Sequence, residues 1–119
     1  MQLTNIQPQK FTSMLKDKVV VVTGGAGLLG NAFCRAIVQS GGVVVVADVD
    51  LERGERGTEQ INREYSGAPA VFERMDINEV ESVVSLIGRT QKQFGRIDAL
   101  VNNAYPRNGN YGRKFEDVT

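Results

Sequence analysis

The sequence has no histidine and a single cysteine, Cys34. With no second thiol there is no disulfide framework, and with no imidazole there is no plausible zinc site. A lone thiol suits a reducing compartment. An excess of charge is also missing: 14 Lys and Arg stand against 14 Asp and Glu, so no overall field points to nucleic acid or to an anionic membrane. No apolar run approaches the roughly 20 residues of a membrane span. The opening MQLTNIQPQK lacks the apolar centre of a secretory signal. These absences give the expectation of a cytoplasmic protein with a small-molecule partner, without nucleic acid and without membrane.

What is present is one domain's worth of core. A chain of 119 residues, 41% apolar and 24% charged, has the balance of a globular domain. Residues 1–14 are polar, aperiodic and interrupted by Pro8, and read as an N-terminal arm with Phe11 and Leu15 as possible anchors; Met14 is a possible natural start. The domain itself is expected over residues 15–119.

Val19 to Thr23 is too continuously apolar for a half-exposed strand, which argues for a sheet covered on both faces. Leu29, Ala32, Phe33, Ala36 and Ile37 then repeat at helical spacing, and Gly41 with Gly42 ends that helix. Cys34 lies inside it as a small packing residue. A second buried strand runs from Val43 to Ala47 and ends at Asp48. A weaker helix follows over 51–65, with Leu51, Thr58, Ile61 and Tyr65 as its stripe; its glycines Gly54 and Gly57 each cost about 1 kcal/mol against alanine. Ala70 to Met75 reads as an edge strand behind Pro69. The third helix has Asn78 as its N-cap, Glu81 in the capping-box position and Val80, Val83, Val84 and Ile87 as its buried face, and FG at Phe94 and Gly95 closes it. Ile97 to Val101 is the last strand.

Four strands joined by three helical crossovers require parallel pairing, hence an α/β doubly wound parallel sheet. Right-handed crossovers give the Rossmann-like order 3-2-1-4. The switch point then lies between the first and fourth strands, above the loop TGGAGLLG, and ligands of such sheets bind outside the carboxyl ends of the strands there. In that loop Gly24 permits the turn off the strand, Gly27 lets backbone approach a pyrophosphate, and Gly30 lets the first helix pack close to the sheet. Asp48, roughly 20 residues on, is placed to accept ribose hydroxyls and to repel a 2′-phosphate, which favours NAD over NADP. A plain turn or cap role for Asp48, together with Asp50, is the competing reading. Asp76 and Ile77, at the end of the third strand, offer a carboxylate and an apolar side chain to the adenine; ordinary turn chemistry before a capped helix is the alternative.

TGGAGLLG, Asp48, MDI and above all FGRIDALVNNA together resemble the N-terminal half of the short-chain dehydrogenase/reductase family, from about Lys16 onward. The resemblance implies that Gly24, Gly25, Ala26, Gly27, Leu29 and Gly30 form the pyrophosphate loop. It further implies that Asp48 and Val49 hold the adenosine ribose, Asp76 and Ile77 the adenine, and Asn103 and Ala104 the region near the nicotinamide ribose, with Asn102 steadying the central strands. FEDVT resembles the segment before the helix that follows the fourth strand. The chain departs from the family pattern in two ways. Leu28 stands where the classical branch has glycine, so that T-G-x-x-G-x-x-G matches the extended branch of nucleotide-sugar enzymes, although VNNA is the classical signature; Tyr105 replaces a usual glycine. Moreover, the family's catalytic serine and Tyr-x-x-x-Lys are missing: Tyr65, Tyr105 and Tyr111 are followed four positions on by Pro69, Gly109 and Phe115.

Three functions stay open. One is the cofactor half of an NAD(P)-dependent oxidoreductase, catalytically incomplete as it stands, because the resemblance implies members roughly twice this length. Another is a non-catalytic nucleotide-binding module or one piece of a split enzyme. The third is an extended-type enzyme acting on a nucleotide sugar. An uncovered fourth strand would further imply self-association.

Overall fold

The structure, a computed structural model, describes residues 14–104. The expected arm before Met14, with its Phe11 anchor, lies outside the described residues, as do Tyr105, Tyr111 and the FEDVT segment. The chain runs β1 (Val19–Thr23), α1 (Leu28–Gln39), β2 (Val43–Asp48), α2 (Leu51–Glu64), β3 (Ala70–Arg74), α3 (Val80–Phe94) and β4 (Ala99–Asn102). All strand pairs are parallel and the order is β3-β2-β1-β4, as the crossover argument requires.

Strand alternation explains the two cores. Val20, Val22, Val44 and Val46 point to one face, where Cys34, Ile37 and Val38 of α1 and Ile61 of α2 cover them. Val19, Val21, Val45 and Ala47 point to the other and meet Leu86 of α3 and Met75. Because both faces of β1 and β2 are covered, an unbroken valine run is what these positions need. Phe94 and Ile97 close the second core from the side.

The helix faces differ from those expected. In α1 the buried side chains are Gly30, Cys34, Ile37 and Val38, whereas Leu29, Ala32, Phe33 and Ala36 are exposed. The helix is turned by about one position because Gly30, where a Cβ would fall 2.0 Å from Gly24 O, sets its closest approach, and Cys34, one turn on, follows on the same buried face. Its end is as expected: Gly42 N–H donates to Ile37 O and Gly41 N–H to Val38 O, the paired bonds of a glycine-terminated helix. In α3 the residues facing the sheet are Leu86 and Thr90 with half-buried Val83 and Phe94, while Val80, Val84 and Ile87 are exposed. This helix carries two overlapping apolar stripes, and the one with Leu86 and Phe94 reaches further into the core. Asn78 is not its cap. Helix α3 starts after Glu79 without a side-chain cap, and Asp76 shapes the turn instead, its Oδ1 accepting from Asn78 N–H at 2.9 Å. In α2 Asp50 is the cap, accepting from Arg53 N–H at 3.0 Å, and Leu51 is exposed.

Gly54 has a role that propensity does not show. A Cβ there would lie 1.9 Å from Cε1 of Phe72 on β3, so the glycine is what allows α2 to seat on that ring. Gly54→Ala is expected to cost about 1–3 kcal/mol by overpacking. In a Phe72→Ala background the same change is expected to cost nothing or to stabilise, which a double-mutant cycle by urea denaturation checks.

Strand β4 begins at Ala99, two residues later than expected. The preceding Asp98 is used as a latch: its Oδ2 accepts the Val19 N–H at 2.7 Å, its own N–H donates to Val19 O, and Arg96 grips both carboxylate oxygens at 2.7 and 2.8 Å. Gly95, at φ 75°, is the left-handed cap that turns the chain from α3 into this latch. The Arg96 guanidinium first, and the Val19 N–H second, hold the Asp98 carboxyl below its ordinary range. A carboxyl that titrates lower when folded contributes stability above its unfolded pKa and loses it as pH falls. The stability difference between wild type and Asp98→Asn should therefore be flat near neutrality and shrink below about pH 4, measured as urea midpoints across that range.

Candidate functional site

The carboxyl ends of all four strands open into one cleft of about 600 Å³. It is lined by Gly24, Gly27, Leu29 and Gly30 of the glycine loop, Asp48 and Val49 after β2, Asp76 and Ile77 after β3, and Asn103 and Ala104 after β4. Ten of the twelve residues singled out in the sequence thus meet at one place.

The loop leaves β1 at Gly24, whose φ of +67° is a left-handed conformation suited to glycine. Gly30 packs directly beneath it: a Cβ there would fall 2.0 Å from Gly24 O. Gly27 differs. A Cβ on it would meet only Gly24 O, at an ordinary 3.4 Å, so the protein's own packing does not demand glycine there and the bare backbone faces open space. Gly27 is also the N-cap of α1 and no side chain caps that terminus. The first-turn N–H groups, which a helix cannot satisfy internally, are therefore presented at the cleft with the positive end of the helix dipole.

Gly25 and Ala26 belong to the loop but do not line the cleft. Gly25 is buried against Val46, and its N–H donates to Ala47 O at 3.2 Å; the Ala26 N–H donates to Asp48 Oδ2 at 3.0 Å. Cys34 Sγ sits 4.0 Å from Gly25 O with no exposure, and burial pushes its thiol pKa up to about 12. It is a protonated packing residue under the loop.

Beside β1, the Thr23 hydroxyl joins the loop to β4. It accepts from the N–H groups of Asn103 at 2.9 Å and Ala104 at 3.1 Å and lies 3.3 Å from Asn102 Oδ1, to which it donates. Asn103 Nδ2 in turn donates to Gly24 O at 3.2 Å. Asn102 thus links the edge strand β4 to β1.

Sequence reasoning missed five lining residues: Leu28, Asp50, Arg53, Met75 and Asn78. Leu28 and Met75 were adjacent to marked positions, and the capping role of Asp50, with Arg53 three residues on, was the available signal for the other side of the mouth. Leu28, at 92% exposure, with Leu29 and Val49 makes an apolar rim around the polar floor, the mixture a ligand cleft presents. Among the described residues Arg53 forms no ion pair and no three potential metal-ligating side chains cluster. No helix of the described residues is long and apolar enough to cross a membrane.

Comparison with known proteins adds a family match, curated relatives and solved structures. The family model described as short chain dehydrogenase matches residues 18–116. An L-fucose dehydrogenase of Oryctolagus cuniculus is 49% identical over 87 residues, which are 73% of this chain and 28% of that protein. Among solved structures, the C-domain of a bacterial malonyl-CoA reductase with NADP superposes with a TM-score of 0.75 at 26% identity, covering 82% of this chain and 16% of that one. An NAD⁺-bound xylitol dehydrogenase superposes with a TM-score of 0.70 at 28% identity, covering 76% and 34%. The chain spans less than a third of the length of the first curated relatives it matches.

Proposed function

The chain belongs to the short-chain dehydrogenase family, and from that premise we propose that its cleft is the adenosine and pyrophosphate half of a nicotinamide-dinucleotide site, with NAD preferred to NADP. The whole protein would pass hydride between the nicotinamide and a carbonyl or alcohol. The observation that carries this reading is the pairing, across one cleft, of an uncapped helix terminus behind a bare Gly27 with the carboxylate of Asp48. The first suits two phosphates and the second suits ribose hydroxyls.

The residues divide the work by chemistry. The N–H groups at the start of α1 would bind the diphosphate, and Gly27 keeps side chains out of its way. Asp48 would accept from the ribose hydroxyls, and its negative charge would oppose a 2′-phosphate. Val49 would stand beside that ribose, and Ile77 would pack on the adenine with Asp76 at its edge. Asn103 and Ala104, held by Thr23, would stand beside the nicotinamide ribose. The bound dinucleotide supplies the hydride acceptor. The proton-transfer groups are not in this sequence, since no tyrosine is followed four positions on by lysine, so we propose that the 119 residues bind without turning over. Exposed Val80, Val84 and Ile87 on α3 and Leu100 on β4 support association through that face, with a second copy or with further chain. A cytoplasmic location remains part of this reading.

Isothermal titration with NAD and with NADP tests it. NAD should bind about tenfold or more tighter, a difference of ~1.4 kcal/mol. Equal affinities would overturn the preference, and binding of neither at millimolar ligand would overturn the site.

A further inference from the structure

Asp48 is more heavily engaged than a residue reserved for a ligand. Its Oδ2 accepts the Ala26 N–H at 3.0 Å, its Oδ1 accepts the Asp50 N–H at 2.9 Å, and its backbone carbonyl accepts the Met75 N–H at 2.9 Å. One residue therefore joins the glycine loop, the turn into α2 and the end of β3. The loop from Gly24 to Gly27 has three glycines and one alanine, so it has almost no side-chain packing to hold its shape. Its other N–H groups are tied backbone to backbone, Gly27 N–H to Gly24 O and Gly25 N–H to Ala47 O, both at 3.2 Å, while its carbonyls accept from Asn103 Nδ2 at Gly24 and from Asn31 N–H at Gly27. Of the bonds made by the N–H groups of Gly25, Ala26 and Gly27, the one to Asp48 is the shortest, is made to a charged acceptor and is the one that a side-chain substitution can remove.

We propose that Asp48 is a positioning residue for the glycine loop: by engaging the Ala26 N–H it sets the shape in which the loop meets a diphosphate. This deepens the dinucleotide reading and rests on it for the ligand, though not for the tether. A carboxylate has about four lone-pair sites. Two are used by Ala26 and Asp50, which leaves room for ribose hydroxyls on the same group. Selectivity for the ribose and affinity for the diphosphate then share one side chain. A substitution chosen to admit a 2′-phosphate would release the Ala26 N–H as well, weakening both cofactors rather than exchanging one for the other.

Two measurements on the full 119-residue chain decide this. The first is amide exchange by NMR, without ligand, in wild type, Asp48→Ala and Asp48→Asn. In Asp48→Ala the Ala26 amide should exchange at least about tenfold faster while the amides of β1 and β2 keep their protection. Asp48→Asn, the variant closest in shape, keeps one acceptor oxygen for two donors, so either Ala26 or Asp50 should accelerate. Unchanged Ala26 exchange in Asp48→Ala, or no acceleration at either amide in Asp48→Asn, overturns the tether. The second measurement is titration with an NAD analogue whose adenosine lacks both the 2′- and 3′-hydroxyls, so that no ribose contact to Asp48 exists. Asp48→Ala should still weaken this analogue about 3- to 10-fold. Loss of affinity for NAD with none for the analogue would reduce Asp48 to a ribose contact and overturn the proposal. If wild type binds no dinucleotide, the functional reading fails and the exchange result alone decides the tether.

Discussion

Gly30→Ala is expected to remove about 3 kcal/mol or more of stability, at or beyond the upper end of what overpacking costs. The added Cβ would lie 2.0 Å from Gly24 O and 2.8 Å from both Gly24 C and Gly25 Cα. All three atoms are backbone, so no side-chain rotamer can yield. Either α1 lifts from the sheet, uncovering the fully buried Cys34 and the nearly buried Ile37, or the loop moves outward into the cleft. Both responses disturb the proposed diphosphate site, so NAD binding should be lost together with stability. Urea denaturation and titration on the same preparation check the pair. A Gly30→Ala protein as stable as wild type would mean that the loop is not packed on the helix as described.

The second large effect is expected at Thr23, which is 3% exposed. Valine has the same shape but no hydroxyl, and the N–H groups of Asn103 and Ala104 would lose their acceptor at once. Half-buried backbone donors left unpaired should together cost about 2–3 kcal/mol. Thr23→Ser keeps the hydroxyl and should recover most of that. The contrast between the two variants, read as urea midpoints, separates the hydrogen-bond role from packing. Equal stability of Thr23→Val and wild type would contradict the assignment.

How much of this was legible depended on whether the signal was local. The valine runs at Val19 to Val22 and Val43 to Val46 require cover on both faces, and crossovers of helical length require parallel neighbours. The order β3-β2-β1-β4 follows from those two facts and the usual handedness. The spacing of Gly24 and Gly30 likewise carries its own reason, which the 2.0 Å approach makes concrete. Helix rotation was less legible. In α3 the stripe Val80, Val84, Ile87 and the stripe Val83, Leu86, Thr90, Phe94 are both good helical patterns, and the choice between them is made by the sheet, not by the helix. In α1 the apolar periodicity of Leu29, Phe33 and Ala36 concealed that the docking face is set by Gly30 and runs through Cys34, Ile37 and Val38. Roles that depend on a distant partner left no local trace. The Thr23 hydroxyl meets Asn103 across 80 positions and the Asp98 carboxylate meets Val19 across 79. Gly54 read as a helix weakness because its reason, the ring of Phe72, lies on another element. In the cleft, glycines and strand-end carboxylates were visible by type and spacing. Arg53 and Asn78 were not, since polar residues at helix starts are common for capping alone.

The most direct measurement of the central claim is mapping of NAD binding on the isotope-labelled chain by amide chemical shifts. The account predicts saturable shifts at Leu28, Leu29, Gly30, Val49, Ile77, Asn103 and Ala104, and none on the outer face of α3 at Val84 and Ile87. Shifts confined to other surfaces, or none at saturating NAD, would contradict it.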